Sequence, residues 1–521
     1  MKKTILIILA ILVVVCGGLI LAISMSPTKK FNDVKIEATK KPIVLIVVDS
    51  LMAEPLQKTI KEGEAPAFSF LINNGDFYPE FISSYPTMSV TIDSTLLTGT
   101  YANQHKIPGL IWFNKDEARM VSYGSGIAEI WDNGVKNVVA DSVIHLNETH
   151  LSKEVLTIHE QLASAQIHTA SINGLLYRGS FKQDLQVPKL LSITDLLPKE
   201  IKVNGPLLLS LGGLSQYNPE NDRYKYVWKR MGVNNEFTSN ELTYLIEQGN
   251  LPTFTLAYLP DADASIHRNG PGDESGIEKA DQALQELLNN FGSWEKAVEE
   301  VTWIVLGDSG QSAVKEEKET ALIDLNELLK RYTFLEKGKE NTQLAIAVNE
   351  RMAYIYLNDE EIPFSDIVES LKKDERIGFI AWSDEQQINH VVSSDDKELT
   401  FSPNGPYMDE YKQSWQLDGD LSLLDIKDEQ GTLRYHTYPD GLARLYGALH
   451  SQTGKVIIVD AKPSYEFIEK HSHDHAGGGA HGSLHRVDSV FPLIVSGETE
   501  RPPSNRLVDV KEWVIGLLGG S

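Results

Sequence analysis

Cysteine is nearly missing from this chain: Cys16 is the single one in 521 residues. A disulfide framework is therefore excluded, and the fold must be held by its core. A basic excess is missing too. Lys and Arg number 48 against 73 Asp and Glu, a formal net charge of −25. Such a surface has no general hold on a phosphate backbone, so binding to a nucleic-acid polymer is not expected. A small phosphate-bearing substrate is still compatible, because bound divalent cations reverse the sign of the field locally. Internal repeats and extended low-complexity stretches are absent, which excludes a repeat architecture. What is present is the composition of a folded protein, 41% hydrophobic and 23% charged, long enough for one large core or two ordinary ones.

The N-terminus stands apart. Met1-Lys2-Lys3 precedes an unbroken apolar run from Ile5 to Ile23, close to the roughly 20 residues a membrane span requires. Lys2 and Lys3 should stay cytoplasmic, which places the remainder outside. Residues 1–24 are read as a membrane anchor or as a signal peptide cleaved near Ala22-Ile23-Ser24. Residues 25–41 read as a polar linker, and 42–521 as the folded domain.

Within that domain, short β-branched runs recur without polar alternation, the pattern of strands buried on both faces of a parallel sheet. They are Pro42–Asp49, Lys136–Asp141, Phe254–Tyr258, Val301–Leu306, Lys455–Asp460 and Val490–Val495. Helical patterns lie between them, as at Leu151–Ala165 and Gly276–Phe291. Alternation of this kind predicts an α/β sandwich with a mostly parallel central sheet. Two segments interrupt it, about 190–250 and about 360–450, and both are read as cap insertions. In such folds ligands sit beyond the carboxyl ends of the strands. Three runs end there in acidic residues: Asp49, the Asp261/Asp263 pair and Asp308. His267 follows Asp263 by four, and Asp together with His is a donor set suited to a divalent metal. A second histidine concentration, His471 to His485, lies beside a glycine run read as flexible.

Val47-Val-Asp-Ser50, Tyr85-Pro-Thr-Met-Ser89 with Thr95–Tyr101 and His105, Asp263–His267 with Gly270-Pro271, Gly307-Asp-Ser-Gly310 and Ala480-His-Gly482 follow one another in order. In this set the chain resembles the alkaline phosphatase superfamily, in its type I phosphodiesterase/nucleotide pyrophosphatase-like branch, which also holds phosphonoacetate hydrolase. The resemblance spans Ile43 to about Leu518. It implies an alkaline phosphatase-like three-layer sandwich and two divalent metal ions, zinc in the first instance. Ser89 would be the nucleophile. Asp263, His267 and His481 would hold one ion, and Asp49, Ser89 and Asp308 the other. Without the flanking motifs, Ser89 would read as a helix-capping hydroxyl.

Two positions depart from the pattern. Ser309 stands where the family places a histidine ligand, so the Asp49/Asp308 half is expected to be weak, to prefer an oxygen-loving ion such as Mn²⁺ or Mg²⁺, or to be empty, with His473 or His475 as substitute donors. Ile92 stands where an asparagine usually contacts a phosphate oxygen, leaving Thr91 or Asp93 to serve. His105 and Trp112 read as packing behind the nucleophile. The expectation is an exported, metal-dependent phosphodiesterase or pyrophosphatase acting on a small phosphoester and tied to the membrane through its N-terminal segment. The alternatives are a phosphonate, sulfate or phosphomonoester hydrolase on the same scaffold, or a non-catalytic binding protein.

Overall fold

The computed structural model describes residues 29, 36, 38–124, 135–187, 200–335, 342–470 and 472–519. The anchor-or-signal expectation at 1–24 and much of the 25–41 linker lie outside them. Among the described residues no helix is long and apolar enough to cross a membrane.

Ile43–Val48 forms β1, with all six side chains buried. Ile43, Leu45 and Val47 enter one core, while Val44, Ile46 and Val48 enter another on the opposite face. Both faces are dry, which is why the run shows no polar alternation. The sheet continues with β2 (Gly75–Ile82), β3 (Thr169–Ile172), β4 (Leu208–Ser210), β5 (Phe254–Leu259), β6 (Thr302–Leu306) and β7 (Val490–Ser496). Their order is β2-β7-β6-β1-β5-β3-β4. The five strands from β6 to β4 are parallel; β7 runs antiparallel between β6 and β2. Helix α1 (Ser89–Thr98) packs Val90, Ile92, Leu96 and Leu97 into one core. On the other face α3 (Ser275–Asn289), which follows the short α2 (Asp261–Asn269), adds Ala280, Leu284, Leu287 and Leu288. This is the expected α/β sandwich.

A second sheet of nine strands runs from Leu344 to Ala461. Ala347, Tyr354 and Phe379 on one face join the core of α1. Ile355 and Val459 on the other pack with the helix Phe364–Leu371. The segment 360–450 is thus largely sheet, and the run Lys455–Asp460 belongs to this sheet rather than to the central one. Arg351 and Asp488, both fully buried, pair across the junction between the two sheets.

Two local expectations are corrected. Lys136–Asp141 is helical: Val135–Ala140 runs into a π-helix at Asp141–His150. A short apolar run fits either state, and here Asp141 holds both Arg119 and, one turn on, His145. The helix expected over Leu151–Ala165 starts only at Ile158, because Thr157 and Glu160 close a capping box there.

Candidate active site

Strand register brings the acidic ends together. β1 lies between β5 and β6, with Val47 opposite both Leu306 and Tyr258. Asp49 and Asp308 each sit two residues beyond that level, side by side at the carboxyl edge. Asp263 lies beyond the end of β5, within a helix. It occupies the first turn of α2, with His267 one turn on along the same face, and their side chains meet at 3.1 Å.

Ser50 joins these elements. Its N–H donates to Asp308 Oδ1 at 2.8 Å and its hydroxyl to Asp263 Oδ1 at 2.9 Å. Gln311 Nε2 donates to Ser50 Oγ at 2.9 Å and to Asp263 Oδ1 at 2.8 Å. Ser50 reaches both carboxylates only by adopting φ +58°, a left-handed conformation that costs a non-glycine residue of the order of 1 kcal/mol.

One half of the site is rich in histidine. His481 Nε2 lies 3.7 Å from Asp263 Oδ1, and Glu350 Oε1 lies 3.8 and 3.9 Å from His267 and His481 Nε2. His481 follows the short strand Gly479–Ala480, which pairs with Ser312–Ala313. Its ring Nδ1 donates to the Thr87 carbonyl, and Gly482 N donates to Thr87 Oγ1 at 2.7 Å. Gly482 has φ +108°, and a Cβ there would lie 2.3 Å from Asn349 O, so only glycine fits. Against burial, the charges of Asp263 and Glu350 lift His267 well above its ordinary value. The glycine run is not a flexible spacer either. A Cβ on Gly478 would meet the His267 carbonyl at 1.9 Å, so the glycines permit close approach to the end of α2.

The other half is made of oxygen. Asp49 is buried with Oδ2 accepting from Tyr258 OH at 2.6 Å, and Asp308 and Ser309 are buried beside it. Burial, then the charges of Asp308 and Asp263, push Asp49 far above the usual carboxylate range. Burial raises Asp308 to about 6. Among the described residues, Asp49 Oδ1, Asp308 Oδ2, Ser309 Oγ and Asp93 Oδ2 have no hydrogen-bond partner although buried. Clustered, unpartnered carboxylate oxygens fit a hard divalent cation, while the nitrogen and oxygen donors of the first half fit zinc. Tyr258→Phe should leave Asp49 less well oriented. A roughly tenfold loss of affinity for an added divalent cation in this half is expected by calorimetry.

Ser89 opens α1. From Phe81 to Thr98 it alone is not buried, and it lines a cavity of about 320 Å³ together with Asp49, Asp263, His267, Glu350 and His481. The opposite wall is apolar, with Leu110, Ile111, Tyr123 and Leu146. Ile92 is in the core, and Thr91 and Asp93 are buried behind the wall rather than on it. His105 accepts from Ile107 N at 3.1 Å and meets Thr95 Oγ1 at 3.2 Å. Burial lowers it to about 3, so it is a neutral packing residue; Trp112 is also buried. His475 sits beside His267, with ring centroids 4.3 Å apart, on the histidine half.

The structure therefore brings Asp49, Ser89, Asp263, His267, Asp308 and His481 to one sheet edge. Ser50, Tyr258, Gln311 and Glu350 joined them without a sequence signal beyond proximity to a motif for the first and third. Residues 43–484 match the family model described as type I phosphodiesterase / nucleotide pyrophosphatase. No curated protein sequence matches the chain. Among solved structures, murine ectonucleotide pyrophosphatase/phosphodiesterase 5 is similar, with a TM-score of 0.56 and 14% identity over 92% of this chain and 95% of that one. An inactive variant of it in complex with AMP gives the same values. Phosphonoacetate hydrolase from Sinorhizobium meliloti, in complex with phosphonoformate, has a TM-score of 0.53 and 14% identity over 93% of this chain and 99% of that one.

Proposed function

The chain belongs to the type I phosphodiesterase/nucleotide pyrophosphatase family of phosphoester hydrolases, and from that premise we propose that it cleaves small phosphodiesters outside the cytoplasm with Ser89 as nucleophile. The observation that carries this reading is the singular exposure of Ser89. Of the three residues of the Phe81–Thr98 stretch that line the cavity with Asp49, Asp263, His267 and His481, namely Met88, Ser89 and Val90, Ser89 is the one that is not buried and the one that carries a hydroxyl.

Ser89 Oγ attacks phosphorus and the bond to the leaving alcohol breaks, giving a phosphorylated Ser89. Water then cleaves the Ser89–phosphorus bond, releasing a monoester and restoring the hydroxyl. The N-terminus of α1 directs its positive dipole end at the phosphate oxygens. Divalent ions, zinc at the histidine half and zinc, Mn²⁺ or Mg²⁺ at the carboxylate half, would supply the charge that acidifies Ser89 and neutralises the oxygens. The apolar wall excludes water and favours a flat or apolar ester group. The murine relative's complex with AMP makes a nucleoside ester the first substrate to try. Segment 190–250, which contributes Val233 to the wall, is read as a cap. Residues 1–24 would export the domain, as a retained anchor or a cleaved signal.

A second reading is favoured by the small cavity and by the phosphonoacetate hydrolase likeness: a phosphonate hydrolase on the same scaffold. The deciding measurement is kcat/KM across a nitrophenyl phosphodiester, phosphomonoester, sulfate and phosphonate panel. Highest turnover on the diester is expected, and a preference of tenfold or more for another class would overturn the first reading. Chelation should abolish the activity, and added Zn²⁺ or Mn²⁺ should restore it. Full turnover after exhaustive chelation would contradict metal dependence.

A further inference from the structure

The histidine half holds more donors than three. Asp263 Oδ1 and Glu350 Oε1 both approach the Nε2 atoms of His267 and His481, at separations between 3.1 and 3.9 Å. Donors sharing one ion with bonds of about 2.1 Å are separated by about 3 to 3.5 Å along the edges of their polyhedron. Glu350 is held for this position. Its Oε2 accepts from His481 N at 2.9 Å, which leaves Oε1 to face the imidazoles. It sits at φ +57° in the two-residue turn between Leu344–Asn349 and Met352–Leu357, a place where asparagine, aspartate or glycine is the usual choice.

His475 is held as carefully. Buried Glu466 accepts from its backbone N–H at 2.9 Å with one oxygen and from its ring Nδ1 at 2.7 Å with the other. A carboxylate that fixes Nδ1–H leaves Nε2 as the donor atom, the arrangement by which proteins orient histidine toward a metal. His267 and His481 are fixed in the same way, through the carbonyls of Gly479 and Thr87. The ligand atoms of His267, Glu350 and His475 lie within 4.8 Å of one another, as do those of Asp263, His267 and His481, so the two groups share His267.

From these two groups joined at His267 we propose that Asp263, His267, Glu350, His475 and His481 close on one ion as a five-donor site, with Glu350 and His475 as additional ligands, and that it holds the tighter ion of the pair. The inference rests on reading Asp263, His267 and His481 as an ion site. Two carboxylates and three neutral imidazoles balance a divalent charge, whereas a three-donor set would leave it one positive charge in excess.

The test is a titration of the metal-stripped full chain with Zn²⁺ against a chromophoric chelator. Glu350→Gln and His475→Gln should each weaken the tighter ion by about 10- to 100-fold and change the weaker one much less. In the Co²⁺-loaded protein, each should shift the visible absorption toward the stronger bands of a lower coordination number. Unchanged affinity and unchanged spectra in both variants would overturn the proposal, and an effect in one alone would reduce it to a four-donor site. Asp263→Asn separates the underlying reading: loss of the tight ion there with no change in the other two refutes only the added ligands, and no loss there refutes the ion site itself.

Discussion

Ser89→Ala should lower kcat/KM on a nitrophenyl phosphodiester by at least about 1,000-fold while leaving the melting temperature unchanged. Two steps pass through this one oxygen, its attack on phosphorus and its later release, so its removal is not a loss of uniform binding but of the reaction path. The folded state is expected to tolerate the change, because Ser89 lines the cavity and is not buried in the core. Ser89→Thr provides the control. It keeps the hydroxyl and adds a methyl group at the residue of this stretch that is not buried, so part of the activity should survive. A Ser89→Ala enzyme with native kcat/KM would remove the nucleophile from the reading. A burst of alcohol release in rapid-mixing experiments, present in the native protein and abolished by the substitution, would tie the loss to the phosphorylated serine.

Arg351→Ala should destabilise the protein by about 3 to 5 kcal/mol, since it leaves a buried charge without its partner. Neither Arg351 nor Asp488 exposes any side-chain surface. Arg351 also donates to the Ala461 carbonyl at 3.0 Å, and Asp488 accepts from Ser483 N at 2.9 Å. Even with Arg351 present, burial raises Asp488 to about 6. A carboxyl whose folded pKa lies above its unfolded one favours the fold at low pH. Its contribution falls as pH rises from the ordinary carboxylate value through the raised one. Without Arg351 the raised value climbs further, so the loss should be smaller at pH 5 than at pH 8. Urea unfolding of the native chain and the variant at both pH values checks this. A shift below about 1 kcal/mol at pH 8 would show that the pair is not sealed from water. The effect should also reach the site, because Arg351 N donates to the His481 carbonyl at 2.9 Å.

The sequence displayed the parts of this fold whose physics is one-dimensional. A strand buried on both faces must be apolar throughout, so β1, β5 and β6 stand out as runs. The acidic residue ending each marks where the chain leaves the dry interior. Parallel register then converts three separate chain positions into one cluster without further information. The Lys136–Asp141 run failed because three apolar residues do not reveal a period; the side chains that Asp141 reaches, Arg119 and His145, decide it. Glu350 was invisible for a different reason. It lies 40 residues after Gly310 and 130 before Ala480, outside every motif, and its relevance comes from a hairpin corner folding over His481. The glycines at 477–479 look like flexibility in a sequence, yet a Cβ on Gly478 would strike the His267 carbonyl and one on Gly479 would crowd Gln311 and the Ile266 carbonyl. Ser309 and Ile92 were legible as departures, and the oxygen-only surroundings of Ser309 explain how such a departure is accommodated.

Ser50 has a consequence for ion binding as a whole. Its amide holds a carboxylate of one half and its hydroxyl a carboxylate of the other, so neither half can shift without moving the same residue. Loading one position must then alter the affinity of the other, and by the same factor in both directions. Under the proposed two-ion reading, the ions should titrate as a coupled pair rather than as independent sites. Replacing Ser50 with glycine, which accepts the backbone angle but lacks the hydroxyl, should uncouple them.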